Sequence, residues 1–243
     1  MARATGRESR VRALAIPVRR ALRRWFLSNA RDLPWRRTRD PYRVLVSELM
    51  LQQTQVARVL DFYERFLTRF PSLEQLARAT PGRVRESWEG LGYYARARNL
   101  HRLARQVTHR PADASDGLST RSPSGTLPSD PAALRLLPGI GAYTAGAVAS
   151  FAFERRAALV DTNVARVLAR VFAPELNPKR PRDLKALWTI AEQLLPRTGK
   201  ASWTHNQALM ELGALICTAR IKRCDKCPLS ANCRSVEKAG KLK

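Results

Sequence analysis

Leu137-Pro138-Gly139-Ile140-Gly141 lies between two stretches of helical periodicity, 131–137 and 143–153. Two glycines one residue apart let the backbone turn tightly and line up successive N–H groups at the start of the second helix. That geometry cradles a phosphate oxygen without using a charged side chain. A plain helix-to-helix turn would also want Pro and Gly, so the pentapeptide takes its meaning from its surroundings.

The surroundings are strongly basic. The 243 residues carry 44 Lys and Arg against 20 Asp and Glu, a net charge of +24, with an isoelectric point near 11.3. Such an imbalance repels itself in the compact state and implies a polyanionic partner. The plainer alternative is a solvated, arginine-biased surface. Beside this charge the pentapeptide reads as a helix-hairpin-helix, with Leu137, Gly139, Ile140 and Gly141 on a nucleic-acid backbone. Contacts of that kind position the duplex and carry no sequence information. Hydrophobic content of 44% fits a folded core, and no apolar run approaches the roughly 18 residues of a bilayer span.

Outward from the hairpin, apolar residues recur at three- and four-residue intervals over 42–54, 56–70, 73–79, 95–109, 162–172, 181–195 and 202–217, with no strand-like alternation. The pattern predicts an all-α protein of about ten short helices. Residues 18–27 read as one more amphipathic helix, with Val18, Leu22, Trp25 and Phe26 on one face. Residues 1–12 read as a flexible basic arm, 13–216 as the helical domain and 234–243 as a basic tail. The Ser-, Pro- and Gly-rich stretch at 111–130 reads as a surface insertion. Thr80-Pro81-Gly82 reads as punctuation between helices.

All four cysteines, Cys217, Cys224, Cys227 and Cys233, fall in one window with C-x6-C-x2-C-x5-C spacing. Four thiolates in one loop hold either an iron–sulfur cluster or a structural zinc. Two disulfides are the plainer alternative, disfavoured where no secretory signal precedes so large a chain. Zinc favours paired C-x2-C knuckles, and only Cys224 and Cys227 form one, so the spacing leans toward a [4Fe-4S] cluster in the loop 217–233.

Two acids stand in apolar settings. Glu48 lies within Val44-Leu45-Val46-Ser47-Glu48-Leu49-Met50-Leu51, ahead of Gln52-Gln53-Thr54. A carboxyl in such surroundings tends to stay protonated, as a general acid must. Asp161 follows Leu159-Val160 and precedes Thr162-Asn163, where helix capping is the commoner role.

Taken in order, several segments resemble the adenine-DNA glycosylases of the MutY type, within the wider helix-hairpin-helix, iron–sulfur glycosylase superfamily. They are Ser47–Val56, Gly90-Leu91-Gly92-Tyr93-Tyr94-Ala95-Arg96-Ala97-Arg98-Asn99-Leu100, 137–147, 160–168, 206–217 and the four cysteines. The resemblance runs from about Arg31 to Cys233. It implies two helical lobes with a C-terminal iron–sulfur loop, a monomeric enzyme, double-stranded DNA carrying a mismatched or damaged pair as partner, and a cytoplasmic, nucleoid-associated location without membrane attachment.

The resemblance also implies roles. Glu48 would protonate a flipped adenine so that it leaves as a neutral base, and Asp161 would stabilise the cationic sugar, with Asn163 orienting it or the water. This is the two-carboxylate logic of glycoside hydrolysis applied to an extruded base. Tyr143 stands where endonuclease III-like relatives carry a lysine. A phenol forms no Schiff base, which implies a mainly monofunctional enzyme acting on adenine opposite 8-oxoguanine or guanine. Gln52 and Tyr93 match residues that wedge into the base stack. Trp35, Arg36, Leu51 and Gln207 match positions lining the adenine pocket, although Trp35 is equally a core residue by type. Typical members continue past the cluster into a domain that reads 8-oxoguanine, whereas this sequence ends ten residues after Cys233. The resemblance therefore does not extend to discrimination of the opposite base. The alternatives are a T:G or U:G mismatch glycosylase of the same superfamily, whose compact members also carry tyrosine at this position, and a non-catalytic iron–sulfur DNA-binding module.

Overall fold

The computed structural model describes residues 2–109 and 125–236, with side chains from Gly6 onward. Eleven α-helices account for most of it, and no strand occurs among the described residues. The contacts divide the chain into two compact units, Asp32–Phe153 on one side and Met1–Arg31 with Glu154–Lys243 on the other.

The central unit holds α2 (Pro41–Leu51), α3 (Val56–Arg69), α4 (Leu73–Arg78), α5 (Pro81–Ser87), α6 (Ala95–Thr108), α7 (Pro131–Leu134) and α8 (Ala142–Phe151). Its core centres on Trp88, wholly buried, edge-on to Phe66 at 5.6 Å, which in turn meets Phe70 at 5.1 Å. The hydroxyl of Tyr42 donates to Phe70 O at 2.7 Å and that of Tyr63 to Arg43 O at 3.2 Å. Buried phenols need such acceptors, and burial pushes the pKa of both upward. Helix α5 departs from the sequence expectation. Thr80 accepts from Arg83 N and Pro81 occupies the first helical turn, so Thr-Pro-Gly begins a helix, a pattern consistent with proline's missing N–H being harmless there.

The terminal unit holds α1 (Ala2–Asn29), α9 (Thr162–Phe172), α10 (Pro181–Leu194) and α11 (Gly199–Leu215). Helix α1 starts at Ala2 and passes through Pro17, where the sequence reading has a free arm up to residue 12. From residue 11 onward Val11, Ala15, Val18, Leu22 and Phe26 are buried on one stripe, whose packing on α10 and α11 offsets the lost hydrogen bond at Pro17. Arg19 Nε and Nη2 donate to Leu194 O at 2.7 Å and Gln193 O at 3.1 Å, capping α10. Glu211, fully buried, receives the fork of Arg31 at 2.9 and 2.7 Å. His205 is also buried, and burial followed by the charge of Arg19 drives its pKa down to about 3. The expected insertion at 111–130 lies outside the described residues up to 124, and the tail beyond 236 likewise.

Candidate active site

In the central unit the buried carboxyl of Glu48 projects from α2. The hydroxyl of Tyr143, at the start of α8, donates to Glu48 Oε2 at 2.7 Å. One residue on, Thr144 Oγ1 accepts from Gln52 Nε2 at 3.3 Å. Glu48, Tyr143 and Gln52, far apart in sequence, thus share the α2–α8 seam. Both helices are apolar on nearly every face, as elements buried on several sides must be. Leu51 and Gln52 are partly exposed at the end of α2, and Tyr93 is 60% exposed with φ of +49°. A cavity of about 470 Å3 runs between Gln52, Gln53, Tyr93, Tyr94 and Arg98. Trp35 is buried edge-on against Tyr63 at 5.4 Å, while Arg36 is partly exposed.

The hairpin is in the same unit. Leu137 and Ile140 are buried, and Ile140 N donates to Leu137 O at 3.2 Å. Gly139 has φ of +78°, and a Cβ there would stand 2.7 Å from Asn99 Cβ. Conformation and space both demand glycine. Gly141 is the N-cap of α8 and provides no side chain to cap it, which leaves the opening turn suited to an anion.

In the terminal unit Asp161 caps α9. Its Oδ1 accepts from Val164 N at 2.6 Å and its Oδ2 from Asn163 Nδ2 at 3.1 Å. Burial raises its pKa, against the lowering by these hydrogen bonds. Asn163 is itself held. Arg166 Nη2 donates to Asn163 Oδ1 at 2.7 Å and to Gly213 O at 2.8 Å, and its Nε donates to Cys217 O at 2.9 Å. A Cβ on Gly213 would meet Asn163 Cβ at 2.8 Å, so only glycine admits α9 this close to α11. Gln207 is buried on α11.

Cys217, Cys224, Cys227 and Cys233 are unbridged and line one cavity of about 230 Å3, with Val167, Leu212 and Ile216 among its apolar walls. Burial pushes the Cys227 thiol up to about 11, and the other three thiols add to the rise. Arg170 Nη1 donates to Cys217 Sγ at 3.2 Å. No group of three or more His, Cys, Asp or Glu among the described residues converges as a ready site for one metal ion.

Sequence reasoning missed Thr144, Arg166 and Arg96. Arg166 follows Asn163 by three residues, the spacing of a helical neighbour. Arg96 sits at a position that is buried in α6; it lies in a segment that carries the resemblance, and a charged residue amid an apolar stripe marked it further.

The model of the HhH-GPD superfamily base excision DNA repair proteins matches residues 46–193, more than half the chain. Among curated proteins, the adenine DNA glycosylase of Rattus norvegicus is 41% identical over 231 residues, covering 91% of this chain and 42% of its own length. That of Mycolicibacterium smegmatis (strain ATCC 700084 / mc(2)155) is 42% identical over 212 residues, covering 86% of this chain and 66% of its own. The chain thus spans less than half of the first of these relatives and about two thirds of the second. Among solved structures, a thermostable thymine-DNA glycosylase superposes with a TM-score of 0.79 at 32% identity, covering 95% of this chain and 98% of its own. With these matches and the all-helical fold in agreement, the chain belongs to the HhH-GPD superfamily of base excision DNA repair proteins.

Proposed function

We propose that this chain is a DNA N-glycosylase that flips mispaired adenine, opposite 8-oxoguanine or guanine, out of duplex DNA and hydrolyses its glycosidic bond. The observation that carries the reading is the 2.7 Å hydrogen bond from Tyr143 to the buried carboxyl of Glu48, set beside Gln52 on a segment that resembles the adenine enzymes. In this reading Glu48 delivers a proton to the adenine ring and the C1′–N9 pair leaves with the base. The charge left on the sugar is met by the carboxylate of Asp161, which Asn163 orients, and water completes the abasic site. Tyr143 fixes the Glu48 carboxyl in orientation and, as a phenol, forms no imine with the sugar. Trp35, Arg36, Leu51 and Gln207 would shape the base pocket, Gln52 and Tyr93 the wedge, and Leu137, Gly139, Ile140 and Gly141 the grip on the backbone. The enzyme would act as a monomer on the nucleoid.

The donor set fits a [4Fe-4S] cluster. Four thiols around one space suit a multi-atom inorganic core, whereas four thiolates at about 2.3 Å from a single zinc would close that space. Cys217, Cys224, Cys227 and Cys233 would hold it. When bound, it supplies a covalent tie for the loop that Arg170 and Arg166 pin to α9. About four irons and four sulfides per chain in the purified protein support this, and stoichiometric zinc overturns it.

The likeness to a thymine-DNA glycosylase along nearly its whole length supports a second reading, removal of thymine from T:G pairs. Single-turnover assays on A:8-oxoguanine, A:G, T:G and U:G duplexes, each with and without alkali, decide between them. Adenine release with strand cleavage only after alkali is expected. Cleavage of T:G alone overturns the adenine reading, and cleavage without alkali overturns monofunctional action.

A further inference from the structure

Arg96 is a buried cation with no carboxylate among its hydrogen-bond partners. Its Nη1 donates to Leu49 O and Met50 O, both at 2.8 Å, and to Gln52 O. Its Nη2 donates to Thr54 Oγ1 at 3.1 Å, Leu91 O at 3.1 Å and Gly92 O at 3.0 Å. The guanidinium lies over Trp88 on one side, 5.6 Å from the ring centroid, and over Tyr93 at 5.4 Å.

These six acceptors belong to two segments. Leu49, Met50 and Gln52 supply carbonyls from the last turn of α2 and its C-cap, groups that the helix itself cannot satisfy. Leu91 and Gly92 lead directly into Tyr93 and α6. Gln53, between the acceptors Gln52 and Thr54, and Tyr93, directly after Gly92, are both non-glycine residues at positive φ, +57° and +49°. Conformations of this kind cost on the order of 1 kcal/mol or more each and persist only where their surroundings enforce them. One guanidinium holds the carbonyls just ahead of both, Gln52 O and Gly92 O, because its planar fork donates along several directions at once. A lysine ammonium carries the same charge but concentrates its donors at one point.

We propose that Arg96 is a positioning residue that locks the Gln52–Thr54 and Leu91–Tyr93 turns together, so that Gln52 and Tyr93 form a single preorganised wedge for opening the duplex. The inference rests on the glycosylase reading above and concerns the opening step rather than proton transfer or the identity of the base. It predicts that loss of the fork harms work on a closed duplex and spares work on one already open.

The test compares the wild type, Arg96→Lys, and Arg96→Ala with and without millimolar guanidinium ion. Melting temperature and helix content are followed for each. 2-Aminopurine at the target position reports base extrusion, and binding is measured to a duplex with an abasic analogue in place of the target nucleotide. For Arg96→Lys we expect extrusion fluorescence and single-turnover base release to fall at least about 30-fold, with affinity for the abasic duplex kept within about threefold. Guanidinium should restore several-fold of the lost rate to Arg96→Ala. Base release by Arg96→Lys within about threefold of wild type overturns the proposal, as does an equal loss on the abasic duplex, which would mark a merely structural role. Should the wild type release thymine instead, only the adenine reading fails and the comparison is made on T:G. Should it release no base, the glycosylase reading fails and 2-aminopurine extrusion alone decides the role of Arg96.

Discussion

Glu48 and Asp161 are both carboxylates at partly or fully shielded positions, yet their neighbours differ in kind. Glu48 faces a phenol that donates to one oxygen, whereas Asp161 has both oxygens occupied by amide donors. Replacing Glu48 by Gln keeps the shape and removes the transferable proton. Single-turnover base release should fall by about 10²–10⁴, the usual worth of a positioned acid, while duplex affinity measured by gel shift stays near wild type. Asp161 has a raised pKa from burial, and in the proposed mechanism it acts as the carboxylate. The acidic limb of the rate profile should therefore lie above the ordinary aspartate range. The sign for stability is opposite. The native state binds the proton more tightly than the unfolded chain between the ordinary and raised values, so native stability falls as pH rises through that window. Asp161→Asn keeps a capping oxygen but turns its amide donor toward Asn163 Nδ2, so it should lose activity and remove this pH dependence of the melting temperature.

At the scale of elements, the hairpin is set by backbone geometry at Gly139, whereas the α2–α6 junction is bridged by the side chain of Arg96. Gly139 sits at φ of +78° against Asn99. Gly139→Ala should cost about 1–3 kcal/mol in thermal unfolding, from strain and contact together, and weaken duplex binding roughly uniformly across sequences, since backbone contacts carry no sequence information. Adding Asn99→Gly should recover the part due to contact and leave the part due to φ. The hairpin, the α9 cap and most helix limits were legible in the sequence to within a few residues, because Gly, Pro, Asp and the apolar period are local signals. Helix α5 and the early start of α1 were not. Pro and Gly mark the beginning of a helix as readily as its end, and the stripe from Val11 to Phe26 is compelling only once α10 and α11 supply its partners.

For the molecule as a whole, the net charge of +24 dominates how it meets a polyanion. If six phosphates are neutralised, duplex affinity should fall about 10³-fold between roughly 50 and 200 mM salt, with a log–log slope near −5 for nonspecific DNA. A nearly flat slope in fluorescence anisotropy would show that the charge is spread as a solvated surface instead. The all-helical class, the basic charge, the cysteine quartet and the order of the motifs are properties of composition and spacing, and the chain alone determined them. The partnership of Tyr143 with Glu48, the reach of Arg166 to Gly213 and Cys217, and the joining of the α2 end to the turn before α6 by Arg96 were decided only in three dimensions. Each joins residues whose separation along the chain is bridged by packed helices, and a hydrogen bond depends on where two atoms meet, which no local pattern records.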